Sequence, residues 1–382
     1  MKRILFAGGG TGGHLYPALA LADALRERGE IDPVFLVEGE GVARTVLEGE
    51  GVRLLEAGPP PVSGGARLRP LARGRVAAAI ARTLDRERID AVVALGGRPG
   101  VGPGLWARWR RRPLFLLEQN RVLGRANRLL LPLATRIFLS HDDTTPERAL
   151  RRRALRLGCP VRASFVPTPL PAGEPRLLIL GGSQGAQDIN ELVPAALEQA
   201  RRPWRVTHIC GAGKEEGLAN RYRSAGLLAT VRAFLQDPSR ALAEASLVVA
   251  RAGGSTVAEL TAVGRGSLLL PYPHHRDRHQ FRNAAHLVEG GAAEVIEKDV
   301  EALARRLDDL REDSAMRERW GNAARALGRP AAAGRIADVI STHLGSDEHR
   351  RRDALGVDRT PHAEGAGDST MVGSLDGGRG VH

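Results

Sequence analysis

Near the N-terminus a short apolar run, Ile4 to Ala7, ends in Gly8-Gly9-Gly10-Thr11-Gly12-Gly13, and a histidine follows at once. Gly8, Gly10 and Gly13 fit the spacing G-x-G-x-x-G. In such a loop glycines let the backbone turn tightly and approach a phosphate, and the N–H groups opening the next helix point at it. Glu38, at the end of the following apolar run, stands where a dinucleotide site places its ribose carboxylate. His14 and Tyr16-Pro17 are no part of that pattern. An imidazole at the start of a helix is a group able to move a proton near neutral pH.

A second glycine-bearing turn, Gly181-Gly182-Ser183-Gln184-Gly185, again closes an apolar run. It is redundant in a single-cofactor dehydrogenase and suits a donor and an acceptor, each carrying phosphate, that meet in a cleft. The third constellation is "ARAGGSTVAEL", in which Gly253–Thr256 open a helix and Glu259 lies a turn further on. Glycines and hydroxyls there suit a diphosphate, and the carboxylate suits ribose hydroxyls as a bidentate acceptor. Beyond Pro271-Tyr272-Pro273, the amides of Gln280 and Asn283 suit a neutral polyol such as a sugar.

The elements that must position these residues alternate between strand and helix. Strands are expected at Arg3–Ala7, Pro33–Val37, Val52–Leu55, Ala91–Ala94, Leu114–Leu117 and Arg136–Leu139, with helices such as Leu15–Arg28 and Leu71–Glu87 between them. The prolines of "GCPVRASFVPTPLPAGEPR" interrupt this order and mark a linker. The theme restarts after it, with strands expected near Arg205–Ile209, Val231, Leu247–Ala250, Ser267–Leu270 and Glu294–Ile296. The pattern predicts an α/β fold of two Rossmann-like, doubly wound parallel-sheet domains in tandem. Residues 345–382 lack apolar periodicity and read as a disordered tail.

Composition narrows the function classes. Across 382 residues the formal charge is +12, from 56 Lys and Arg against 44 Asp and Glu, which suits an anionic partner. Aromatic residues make up only 4%, too few for base-stacking platforms, and no nucleic-acid-binding motif is present, so nucleic acid is not the expected partner. No apolar stretch approaches the roughly 18 residues of a membrane span. The start Met1-Lys2-Arg3 leads into a strand, not a signal-peptide core, so a cytosolic chain is expected. Cys159 and Cys210 lack C-x-x-C or Cys/His spacing and read as buried apolar residues, not as a disulfide or zinc site.

Six stretches, "GGGTGGHLYPALALA", "LEQNRVLGRANRLL", "GCPVR", "LGGSQGAQDIN", "ARAGGSTVAEL" and "LLLPYPHHRDRHQFRNA", stand in the order and approximate spacing of one family. Over nearly all of residues 1–340 the sequence resembles the MurG family of peptidoglycan glycosyltransferases, in glycosyltransferase family 28. The resemblance implies a GT-B fold, with an N-terminal acceptor and membrane domain at 1–158 and a donor domain at 159–330. A C-terminal helix at 331–344 would pack back on the first domain. It implies inverting transfer of GlcNAc from UDP-GlcNAc to the 4-hydroxyl of MurNAc in lipid I, with no cofactor and no metal at the diphosphate. No DxD motif is evident, which agrees with that.

Carried over by motif, Ser183 and its glycines would face the UDP phosphates, and Leu235 of "AFLQD" would meet uracil through its backbone. Gly254, Ser255, Thr256, Val257, Ala258 and Glu259 would hold diphosphate and ribose. Gln280 would hydrogen-bond the GlcNAc hydroxyls, while Thr11, Gly12, Gly13, Asn120 and Arg162 would reach the donor from across the cleft. His14 is the expected general base, near its ordinary pKa, with Glu118 as the rival. Arg98, in "GGRPGVGPG", replaces the family's tyrosine on the acceptor side.

The resemblance places the protein peripherally on the anionic cytoplasmic leaflet, with other cell-wall synthesis proteins as further partners. Arg67, Arg69, Arg73, Arg75 and Arg82 alternate with Leu68, Leu71, Val76 and Ile80, and "LWARWRRRP" adds Trp106 and Trp109 to arginines. Such a basic, apolar face suits anionic lipid; the competing reading is a solvated arginine-rich flank with the tryptophans in the core. Two alternatives stay open on the residues: another GT-B enzyme using a UDP-sugar, such as a glycolipid synthase or UDP-GlcNAc 2-epimerase, and an inactive nucleotide-binding scaffold.

Overall fold

The computed structural model describes the chain except residues 9–11, 30, 38–41, 57–69, 145–147, 183–184, 236, 275–276 and 355–382. Thr11, Ser183, Glu38, Arg67 and Arg69 therefore lie outside the described residues.

Seven parallel strands form the first sheet: β1 (Lys2–Ala7), β2 (Ile31–Val37), β3 (Arg53–Glu56), β4 (Ala91–Ala94), β5 (Leu114–Glu118), β6 (Arg136–Leu139) and β7 (Ala154–Arg156), in the order β3-β2-β1-β4-β5-β6-β7. Its helices are α1 (Gly12–Arg26), α2 (Val42–Gly49), α3 (Pro70–Arg86), α4 (Val101–Trp109) and α5 (Arg125–Leu130). Ile4, Leu5, Val92, Val93, Leu116 and Phe138 are wholly buried, as a parallel sheet covered on both faces requires.

The second sheet contains β8 (Arg176–Leu180), β9 (Arg205–Ile209), β10 (Ala229–Arg232), β11 (Leu247–Ala250), β12 (Ser267–Leu269) and β13 (Ala293–Val295), in the order β10-β9-β8-β11-β12-β13. Around it lie α6 (Gln187–Gln199), α7 (Glu215–Ser224), α8 (Pro238–Glu244), α9 (Gly254–Val263), α10 (His279–Glu289), α11 (Val300–Glu312) and α12 (Ser314–Leu327). The strand order reverses between β1 and β4 in one sheet and between β8 and β11 in the other. At such switch points the loops leaving the strands' carboxyl ends diverge and open a ligand crevice. Both predicted glycine loops, and the "ARAGGST" turn, leave those strands.

The linker belongs structurally to the second sheet. Val161 and Phe165 join the apolar core beneath α9, and the buried Arg265 donates to Thr168 O at 2.7 Å and Pro169 O at 3.0 Å while also binding Leu242 O and Ala243 O. A guanidinium with no exposed surface is tolerable there because carbonyl oxygens surround it.

The chain crosses between the halves a second time after α12. The two crossings touch: at Gly158, φ +97°, a Cβ would lie 2.7 Å from Arg329 Cβ, and Arg329 Nη1 donates to Arg156 O at 2.8 Å. α13 (Ala332–Ala354) then returns to the first sheet's side, where Arg28 meets Asp338 Oδ1 at 2.6 Å and Gly334 O at 2.8 Å. The expected helix 331–344 is thus longer, and residues 345–354, read as disordered, are helical. Met1–Ser341 forms one compact unit holding both sheets; a second unit begins at Thr342. Both cysteines are free and buried, as expected.

Candidate active site

A cleft of about 1010 Å³ opens between the carboxyl ends of the two sheets. The first half contributes Gly13, His14, Tyr16 and Asn120 and the linker contributes Arg162; the second half contributes the turns after β8 and β11 with Leu235, Glu259 and Gln280.

The floor is backbone. α9 starts at Gly254 after an extended Gly253, so the first-turn N–H groups of a ten-residue helix face the cleft beside Ser255 and Thr256. Only glycine fits at 254, since a Cβ would lie 2.6 Å from Gln119 O in the other half. In the β8–α6 turn, Gly185 has φ +63° and a Cβ there would meet Cys210 O at 1.9 Å. That turn is braced from behind. His208 links Tyr222 Oη at 2.8 Å to Asn190 Oδ1 at 3.0 Å, Asn190 Nδ2 donates to Cys210 O at 2.9 Å, and Lys214 Nζ donates to Gly185 O at 2.6 Å. Burial holds His208 neutral, its pKa down at about 3, so the brace keeps one tautomer.

Glu259 is partly buried, with no hydrogen bond or ion pair among the described residues. Burial raises its pKa to about 7, against the pull of Arg162. Arg162 lies 5.2 Å above the Tyr16 ring and pairs with Glu50 Oε1 at 3.4 Å.

His14, in the first turn of α1, contacts Gln119 Oε1 through Nδ1 at 3.2 Å. Gln119 Nε2 donates to Leu95 O at 3.3 Å, which leaves Oε1 as acceptor and makes Nδ1 the donor. The neutral ring then carries its basic lone pair on Nε2. The expectation of an ordinary imidazole pKa needs correction: burial lowers it, only partly offset by the nearby Glu118 charge.

Several expected site residues lie elsewhere. Glu118, 2% exposed, does not line the cleft. Its carboxylate accepts from Asn120 N at 3.1 Å, Asn120 Nδ2 at 3.2 Å, Gly124 N at 2.8 Å and Asn127 Nδ2 at 3.0 Å, which makes it the anchor of the loop after β5. Val257 and Ala258 face a small separate cavity with Cys159 and His286, and the Val257 N–H is already bonded to Gly253 O. Asn283 has no exposed surface and is held by protein groups, not open to a sugar. Gln280 does line the cleft, its Oε1 accepting from Tyr272 N at 2.8 Å. Gly12 is the first residue of α1, and Arg98 is exposed after β4. Among the described residues, no group of three or more His, Cys, Asp or Glu side chains is arranged to hold a metal ion.

Residues 4–139 match the glycosyltransferase family 28 N-terminal domain and residues 176–335 its C-terminal domain. The chain belongs to glycosyltransferase family 28. A relative from Sorangium cellulosum, named UDP-N-acetylglucosamine--N-acetylmuramyl-(pentapeptide) pyrophosphoryl-undecaprenol N-acetylglucosamine transferase, is 38% identical over 92% of this chain and 90% of its own length. A relative of the same name from Xanthomonas euvesicatoria is 35% identical over 98% and 90%. Among solved structures, Acinetobacter baumannii MurG superposes with a TM-score of 0.74 at 27% identity, covering 90% of this chain and all of that one. A UDP-GlcNAc 2-epimerase from Neisseria meningitidis, at 13% identity and TM-score 0.62, shares the fold.

The family 28 cleft also contains residues that sequence reasoning gave no role. Phe234, 43% exposed, and Tyr272 line it, and Arg251 is held between Asp188 and the Tyr272 ring, donating to Leu270 O at 2.8 Å. Phe234 stands beside the predicted Leu235, and Arg251 opens the "ARAGGST" motif; adjacency to a motif was the available signal.

Proposed function

We propose that this chain moves GlcNAc from UDP-GlcNAc to the 4-hydroxyl of the MurNAc sugar in lipid I, with inversion at the anomeric carbon. The observation that carries the reading is that His14 and the N-terminal turn of α9 line one cleft from opposite halves. The names of full-length relatives at 35–38% identity support the choice of substrates.

The uracil lies against Phe234 and the Leu235 backbone, the ribose hydroxyls bind Glu259, and the diphosphate meets Gly254–Thr256 and the turn that contains Ser183. The departing diphosphate gains negative charge, and fixed N–H dipoles stabilise it without reorganising. Gln280 binds the GlcNAc hydroxyls, with Gly12, Gly13 and Asn120 reaching the donor from the first half and Arg162 from the linker. His14 Nε2 takes the proton of the attacking hydroxyl as the oxygen bonds to the anomeric carbon and UDP leaves. Glu118 orients that loop without taking part in the proton transfer.

Recruitment to an anionic membrane surface fits α3 and α4. The Trp106 indole is buried, donating to Asp85 Oδ1 at 3.0 Å, whereas Trp109 is 67% and Leu105 50% exposed, with the Arg110 guanidinium 4.2 Å above the Trp109 ring. Trp106 is thus a core residue, and Trp109 is accessible to a lipid surface. No helix among the described residues is long and apolar enough to cross a membrane.

The test is radiolabelled UDP-GlcNAc offered with lipid I, with other polyprenyl-linked sugars and without acceptor. Label should appear in lipid only with lipid I. Transfer to another lipid, or label that stays in a soluble sugar, would overturn the assignment.

A further inference from the structure

Asn283, in the second turn of α10, is wholly buried where the two halves meet. Its Nδ2 donates to Asn120 Oδ1 at 3.0 Å and to Ala252 O at 3.0 Å, and its Oδ1 accepts from Arg121 N at 2.9 Å. One amide thus ties the loop after β5 to the turn that opens α9. Arg121 adds a second tie from the same loop, reaching Glu289 Oε2 at 2.8 Å on the last turn of α10. The neighbouring peptide packs so closely that residue 254 must be glycine.

We propose that Asn283 is a positioning residue for the transfer reaction, a clasp that sets Asn120 and, through Gln119 in the same stretch of backbone, the base His14. This rests on the proposed function. Gln119 carries the Oε1 that holds His14 Nδ1, and its own backbone oxygen abuts Gly254. The relative placement of donor floor and base is therefore set through three consecutive residues, 119–121, held by the Asn283 amide and by the Glu289 carboxylate from the donor half. The donor itself binds mainly to groups of the second half, of which the clasp touches only the Ala252 carbonyl. Loosening the clasp therefore lowers turnover and leaves ground-state binding of the donor in place.

Asn283→Asp keeps the shape and the acceptor for Arg121 N–H but loses both donations. In the full-length chain it should lower kcat by about 10- to 100-fold, the scale of a displacement near 1 Å at reacting groups. Its KM for UDP-GlcNAc should change less than about threefold. Combined with Asn120→Ala, it should cost little more than the worse single variant, because the two act as one unit. Hydrogen exchange in the ligand-free protein should show faster exchange at 120–123 in Asn283→Ala than in the parent, with the second sheet still protected. A fall in donor affinity with kcat intact, full additivity with Asn120→Ala, or unchanged exchange at 120–123 would each overturn the clasp. A parent chain that transfers no sugar overturns the function, a result read before any variant is compared.

Discussion

In the proposed function two titratable side chains, His14 and Glu259, serve as the base and as the ribose acceptor. General-base catalysis is typically worth 10²–10⁴-fold, so His14→Ala should lower kcat by about that factor with little change in UDP-GlcNAc affinity. Because burial lowers the His14 pKa, the acidic limb of the kcat profile should fall below the ordinary imidazole value and vanish in the variant. Retention of both kcat and that limb would make the histidine structural. Glu259 works in the opposite direction. Its folded pKa of about 7 exceeds the ordinary carboxyl value, so the native state holds a proton that the unfolded chain releases, and stability declines as pH rises from about 4.5 to 7. Glu259→Gln should therefore leave thermal stability unchanged at pH 4.5 and raise it at pH 8 by about 1–2 kcal/mol, a figure reduced for its partial exposure. The same variant should weaken UDP binding about 5- to 100-fold by loss of ribose hydrogen bonds. Melting curves at the two pH values and calorimetry with UDP check both.

At the scale of elements, glycine loops are what the strands and helices exist to aim. Gly185→Ala would force a Cβ onto Cys210 O at a positive φ, so the turn must shift; a loss of about 1–3 kcal/mol in a denaturant melt and a matching drop in UDP affinity are expected. An unchanged UDP affinity would remove that turn from the donor site. Apolar runs of four to six residues and the glycines after them were readable as strands and turns, because a strand buried on both faces has little freedom in composition. β7 was not, being only three residues beside the arginine-rich turn Arg148–Arg153. Asn283 was misread for a different reason. Spacing of three places it near Gln280 on α10, but which flank of that helix meets solvent is decided by how the other half packs, and no local pattern carries that information. Val257 and Ala258 line the small cavity beside Cys159 for a related reason: a helix N-terminus offers its first-turn N–H groups, and later residues turn away.

On the scale of the whole molecule, Leu105 and Trp109 stand exposed on α4 beside the exposed Arg108, Arg110 and Arg111, an apolar and basic flank. Vesicles containing anionic lipid should sediment the protein, less so as salt rises, each cation near the surface contributing about 1 kcal/mol. Exchanging Arg73, Arg75 and Arg82 for glutamate should reduce sedimentation and leave UDP affinity intact. Equal sedimentation with neutral vesicles would remove electrostatics from the account, and Trp109→Ala would then show how much the exposed indole contributes.

The contact between the two interdomain crossings, at Gly158 and Arg329, has a mechanical consequence. Two covalent connections fastened side by side act as a pair of door pins: they permit swing about the line joining them and resist twist and sliding. Any breathing of the cleft is then motion with a single degree of freedom. Several label pairs placed across the cleft and followed through a UDP titration should trace distances that all collapse onto one common angle. Pairs that vary independently would mean that the pins do not hold.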